Sequence, residues 1–233
     1  TQINDLLLSA LSEALYQWLG QSEVSINLEG HGREPWEQGV DLSRTVGWFT
    51  TLYPIVLQRM PSLADTIIAN KENLRAIPNK GIGYSAFKFN GSEAEQTQLQ
   101  QSSLSQIEFN YLGQFDNSAV QDRTSVWRLA SESSGKATSD NIAMNSELAV
   151  NGQVLNGALS FEVSFSQARL NNDDVAQFAA HFEAALQQIV AHCQTAEATL
   201  TPSDVPLAKL SQTQLAALPL TLSNVDDLYP LSP

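Results

Sequence analysis

The sequence predicts an α/β fold, a two-layer sandwich of helices on a mixed β-sheet. Three observations carry that prediction. Helical and strand periodicities alternate along the first half of the chain, a later pair of alternating segments reads as a hairpin, and a long amphipathic helix follows it. The 233 residues suffice for a sizeable core, and 42% hydrophobic with 16% charged is an ordinary globular composition.

The elements follow in order. Ile3, Leu7, Leu8, Leu11, Ala14, Leu15, Trp18 and Leu19 recur at helical spacing, and Gly20 stands where a helix stops. Val24, Ile26 and Leu28 alternate as a strand that runs into Glu29-Gly30-His31-Gly32. A second helix is expected near Ser62 to Leu74, before the punctuation of Pro78 and Gly81-Ile82-Gly83. Ile107, Phe109 and Tyr111 form one face of another strand. The hairpin spans Ser146 to Phe165, with its type I′ turn expected at Asn151-Gly152 and with Phe161, Val163 and Phe165 on one face. Asp173 and Asp174 are expected to cap the long helix, whose buried stripe is Val175, Phe178, Ala179, Phe182, Leu186, Ile189 and Val190. Cys193, late in that helix, reads as a small buried hydrophobe. Thr195 to Ser223, rich in Ala, Thr, Ser and Pro with a weak helix near Gln212 to Leu218, reads as an inter-domain linker. The polar stretch Ser131 to Asp140 reads as a mobile loop.

Charge narrows the function. Twelve Lys and Arg against 25 Asp and Glu leave a net charge of −13, which repels a nucleic-acid backbone or an anionic membrane. No apolar run approaches the length of a bilayer crossing and no signal peptide opens the chain, so a cytoplasmic setting is expected. A lone Cys offers no disulfide framework, and His31, His181 and His192 form no ligand pair at metal spacing, so no metal is expected.

The candidate chemistry begins at Glu29. A carboxylate at a strand end, followed by Gly-His-Gly, protrudes with little crowding and admits a substrate backbone beside it. From spacing alone, a solvated turn carboxylate beside Arg33 and Glu34 is the plainer reading. Arg44-Thr45-Val46-Gly47-Trp48-Phe49-Thr50 would form a tunnel wall with a cationic handle, or simply contribute aromatics to the core. Asn110 and Tyr111 set an amide beside a phenol, but neighbours on a strand face opposite sides, so only one addresses a given pocket. His31 alone is a turn residue before it is a ligand or base. Gly81-Ile82-Gly83-Tyr84 lacks the spacing of a phosphate loop, and no GxSxG elbow marks a nucleophile.

Taken together and in this order, the segments resemble the epimerisation domains of nonribosomal peptide synthetases. The resemblance rests on Glu29-Gly30-His31-Gly32-Arg33-Glu34, on Arg44 to Thr50 with Tyr53-Pro54 and Leu57, and on Phe109-Asn110-Tyr111-Leu112-Gly113-Gln114-Phe115-Asp116. Asp5 to Ser12 and Pro78 to Ser85 are similar to two further motifs, with Ser12 and Ser85 where the family has Gly. The family's His-His-x-x-x-Asp-Gly stretch is absent, so residues 1–194 resemble only the C-terminal of two chloramphenicol-acetyltransferase-like lobes. Residues 224–233, which include Val225 to Pro233, resemble the opening of a downstream condensation domain, with 195–223 as the linker.

The resemblance implies L-to-D inversion at the Cα of an aminoacyl or peptidyl thioester. The substrate would ride on the phosphopantetheine of an upstream peptidyl carrier protein domain, and the lobe would need no cofactor of its own. It implies that Glu29 is the acid/base, and that Tyr111 and Asn110 act at the site, with Tyr111 preferred on the opposite-face argument. Arg33 would orient Glu29 or meet the pantetheine, and His31 and Trp48 would contact substrate. The catalytic His belongs to the N-terminal lobe, so this chain alone is expected to be inactive. The alternatives are the second lobe of an amide-forming condensation domain and a non-catalytic carrier-docking fragment.

Overall fold

The structure, a computed structural model, describes residues 1–34, 40–101, 105–115, 132–133, 135–136, 139, 142–219, 225 and 227–230. Asp116 and most of Ser131 to Asp140 lie outside the described residues. The chain forms two compact units, one of Thr1–Val24, Val56–Lys80 and Ala180–Pro233, the other of Ser25–Ile55 and Gly81–Ala179.

The first unit is helical. Helix α1 (Ile3–Leu19) buries Leu8, Leu11 and Leu15 completely and packs on α2 (Leu63–Ala76). Each such leucine contributes roughly 1.5–3 kcal/mol by leaving water. Ile3 and Leu19, expected on the apolar stripe, are exposed at the fraying ends. Gly20 ends α1 as anticipated, at φ 72°, with its N–H donating to the Tyr16 carbonyl at 2.8 Å. Ser62 caps α2 by accepting from the Asp65 N–H at 3.1 Å.

Charged pairs tie α1 to α2 and to the segment just before it. Asp5 is wholly buried and receives Arg75 at 3.0 and 2.8 Å, while Arg59 donates to Glu13 at 3.3 Å. Within the stretch read as a linker, short 3-10 turns at Pro202–Asp204 and Pro206–Ala208 precede α6 (Gln212–Ala216). There Lys71 of α2 donates to both carboxylate oxygens of Asp204 at 2.6 Å, and Ser203 donates to Glu72. Thr201, Val205 and Leu215 are buried.

Most of the mixed sheet lies in the second unit, in the strand order β2-β1-β3-β4-β5. Its strands are β1 (Glu23–Gly30), β2 (Thr51–Gln58), β3 (Ile107–Gln114), β4 (Leu148–Leu155) and β5 (Ala158–Phe165). β1 pairs parallel with β3 and β3 parallel with β4, while β4 and β5 are antiparallel. Two short helices, α3 (Ile82–Asn90) and α4 (Glu93–Gln101), connect towards β3.

The hairpin forms, but its turn is not at Asn151-Gly152. Those residues lie inside β4, and the two-residue turn is Asn156-Gly157, with φ of 52° and 74° as type I′ demands. This register sets Leu148 opposite Phe165 and Val150 opposite Val163, which keeps both apolar faces together. Gly152 serves packing instead, because a Cβ there would come within 2.3 Å of the Phe161 ring.

Helix α5 (Asn172–Thr195) also departs from expectation at its start. Asn171 is the cap: its Oδ1 accepts from the Asp174 N–H at 2.9 Å, and Asp174 reaches back to the Asn171 N–H at 3.4 Å. Asp173 is simply an acidic first-turn residue. Val175, Phe178, Phe182 and Ile189 are buried, but Ala179 and Val190 are exposed, because the apolar stripe is narrower than the sequence suggested. Cys193 is exposed rather than buried, one turn from the helix end.

Candidate functional site

Register decides which residues share a face. Paired residues on neighbouring strands project to the same side, and alternate residues along a strand project to opposite sides. Asn27 pairs with Glu108 and Leu28 with Phe109, and by alternation Glu29 projects to the side of Asn27 and Asn110 to the side of Glu108. Asn110 pairs with Asn151, and Asn151 with Glu162. Glu29, Glu108, Asn110, Asn151 and Glu162 therefore share one polar face of the sheet. The other face is apolar, with Leu28, Phe109, Leu148 and Val150 buried.

Tyr111 belongs to that apolar face. It pairs with Gly152, which pairs with Phe161, whose ring lies 6.3 Å from Phe109 at 37°. Of the two, Asn110 lies on the face that carries Glu29 and Tyr111 on the other. Alternation correctly separated the two residues; only the register shows which of them accompanies Glu29.

Glu29 is half-buried at the end of β1. Burial first, and the charge of Glu108 second, raise its pKa above the ordinary carboxylate value. The carboxyl therefore holds a proton at a higher pH than a surface glutamate does, and can give or take one more readily near neutrality. Glu108 was not singled out from the sequence. Its alternation with Ile107 and Phe109 was legible, but its place beside Glu29 needed the β1–β3 register.

The loop after β1 is organised by its own residues. His31, 67% exposed, accepts from the Arg33 N–H at 3.0 Å, and its Nε2 lies 3.1 Å from Glu34. Arg33 does not reach back to orient Glu29. Its guanidinium donates to the carbonyls of Leu42 at 2.6 Å and Gly47 at 3.3 Å and stacks 4.2 Å over Phe49. Arg33 thereby pins residues 42–49, whose tip carries Val46 and Trp48, 99% and 90% exposed. Trp48 accordingly stands in solvent and Arg44 is exposed as well, while Tyr53 of the same motif is buried.

Gly32 makes this loop possible. At φ 64° its Cα lies so close to Phe49 that a Cβ would fall 1.6 Å from the Phe49 carbonyl oxygen. Gly32→Ala is expected to cost about 1–3 kcal/mol from backbone strain alone, before the clash displaces the loop. A urea unfolding curve that matches the unsubstituted chain would contradict this.

The five-stranded mixed sheet and its helices form an α/β fold like that of condensation domains. The chain belongs to the condensation-domain family: the model of that family, described as Condensation domain, matches residues 1–210. Its relatives are nonribosomal peptide synthetases. It is 37% identical over 242 residues to gramicidin S synthase 1 of Brevibacillus brevis, a match covering 99% of this chain but 21% of that protein. To bacitracin synthase 3 of Bacillus licheniformis it is 36% identical over 237 residues, covering 100% of this chain and 4% of that protein. The epimerization domain from the third module of tyrocidine synthetase B is 35% identical with a TM-score of 0.74, over 83% of this chain and 43% of that one. The starter condensation domain of rhizomide synthetase shares the fold alone, at 14% identity and a TM-score of 0.51 over 80% and 42% of the two chains. The chain thus spans less than half of each.

Proposed function

We propose that this chain is the C-terminal lobe of an epimerisation domain, which inverts the Cα of an aminoacyl or peptidyl thioester held on a carrier's phosphopantetheine. The observation that carries the reading is Glu29, a half-buried carboxyl of raised pKa at a strand end with Asn110 on the same face of the sheet. The 35% identity to an epimerization domain, against 14% to a condensation domain, supports the same reading.

The chemistry follows from the thioester, which acidifies the Cα–H. A carboxylate at Glu29 takes that proton and becomes the acid, leaving an enolate. The Asn110 amide, on the same face, is suited to donate to the enolate oxygen. Inversion requires the proton to return on the opposite face, so a second group must stand across from Glu29. We assign that group to the histidine of the N-terminal lobe. The upstream peptidyl carrier and a downstream condensation domain are the proposed partners, in a cytoplasmic setting. The family model's own description favours a second reading, in which the lobe serves amide formation.

Solvent exchange separates the two. In D2O, the completed domain given an L-aminoacyl thioester on its carrier should incorporate one deuterium at Cα while D- and L-forms equilibrate. Retention of the Cα proton together with amide formation on an added acceptor would transfer the chain to the condensation reading.

A further inference from the structure

We propose that Glu108 is a positioning residue for this reaction: standing on the adjacent strand and the same face as Glu29, its carboxylate strengthens Glu29 as the base that takes the Cα proton from substrate. The proposal rests on the reading of Glu29 as the acid/base.

The geometry comes from the ladder. Glu108 pairs with Asn27, two residues before Glu29 on β1, so the two carboxyls are diagonal neighbours across one parallel strand pair. Like charges so placed disfavour ionising together, and Glu108 is the charged side chain that acts on Glu29 in raising its pKa, after burial itself.

The remaining surroundings do not offset this charge. Strand β2, on the other side of β1, contains no charged residue along Thr51–Gln58, and its Tyr53 stands against Gly30 on the apolar face. Along β3 and beyond it the same face presents Asn110, then Asn151, then Glu162, so the charge there is also negative. In the loop beyond Gly30, His31 is engaged with Glu34, and Arg33 with the carbonyls of Leu42 and Gly47 and the ring of Phe49. Among the described residues, Glu29 thus meets a second carboxylate, which raises its affinity for the proton it is to take.

The test is a titration of Glu29 in the 233-residue chain, followed by carboxyl 13C NMR, alongside the pH–rate profile of the completed domain. Glu108→Gln should move the Glu29 midpoint down towards an ordinary carboxylate, and the acid limb of the kcat profile should move down with it. Glu108→Asp, which keeps the charge, should hold the midpoint above that of Glu108→Gln. Glu108→Ser provides a second neutral variant, and circular dichroism confirms that each remains folded. A Glu29 midpoint unmoved in both folded neutral variants overturns the proposal. Glu29→Gln separates the two levels: if that variant still epimerises, the acid/base reading itself has failed. If it is inactive and the Glu29 midpoint ignores Glu108, only this inference has failed.

Discussion

Glu29→Gln in the completed domain should lose L-to-D equilibration by about 100- to 10,000-fold, the usual contribution of a positioned general acid/base. Glutamine keeps the size and hydrogen-bonding capacity of the side chain but can neither take nor return a proton. The loss should fall on kcat and on deuterium wash-in alike, because both require the same proton transfer. Folding should not suffer. A carboxyl whose folded pKa is raised favours the native state below its unfolded pKa, and that contribution is lost as pH rises through the folded value. Around neutrality Glu29 is therefore a burden on stability, and the uncharged glutamine should unfold at equal or higher urea concentration. The check is the D/L ratio against time on a loaded carrier, beside urea curves at pH 7. Full equilibration by this variant would remove Glu29 from the mechanism.

The largest expected stability effect lies elsewhere, in the first unit. Lys71 is only 3% exposed, and its Nζ sits 2.6 Å from both carboxylate oxygens of Asp204. Asp204→Ala leaves a buried ammonium without its counter-charge, a class of change that costs about 3–5 kcal/mol. Asp204 is itself 32% exposed, so water would meet some of the lost solvation and bring the cost towards the lower end. Adding Lys71→Met should recover most of the loss, because an apolar replacement removes both charges at once. Acid titration gives an independent readout. Burial opposes ionisation of Asp204, but hydrogen bonds from Lys71 and from the Thr201 backbone and hydroxyl, with the Lys71 charge, outweigh it and hold the pKa below the ordinary value of 3.8. The stabilisation is thus complete above that ordinary value and fades as pH falls through the lowered one. Wild type and Asp204→Ala should converge in stability only in that acid range. A constant difference down to the lowest pH would refute the pair's role.

Much of the fold was legible in the sequence, and the failures have physical causes. Gly20 and Ser62 mark helix ends because caps are local: a left-handed residue or a hydroxyl satisfies orphan backbone groups within one turn. The hairpin was legible, but this stretch holds two Asn-Gly pairs, and either can form a type I′ turn. The choice of Asn156-Gly157 belongs to cross-strand pairing, which aligns Leu148 and Val150 with Phe165 and Val163. Asp173 and Asp174 looked like caps, yet Asn171 holds the position, its side-chain oxygen accepting from the Asp174 N–H. Cys193, four residues after buried Ile189, continues the helical spacing of the stripe but is exposed, since no residue of α5 beyond Ile189 is buried.

The site divides along the same line. The sequence alone determined that a carboxylate stands at a strand end among glycines, that Asn110 and Tyr111 face opposite ways, and that the chain resembles one lobe of an epimerisation domain. These follow from composition, period and motif, all readable within a few residues. Tertiary structure alone decided that Asn110 rather than Tyr111 shares the face of Glu29, that Arg33 clamps the 42–49 loop, and that Glu108 stands on that face on the next strand. Each depends on pairing between segments up to about 80 residues apart, as between Asn27 and Ser105. A strand's own sequence sets its two faces but not its neighbour's register, because that choice is made by the core both strands bury together.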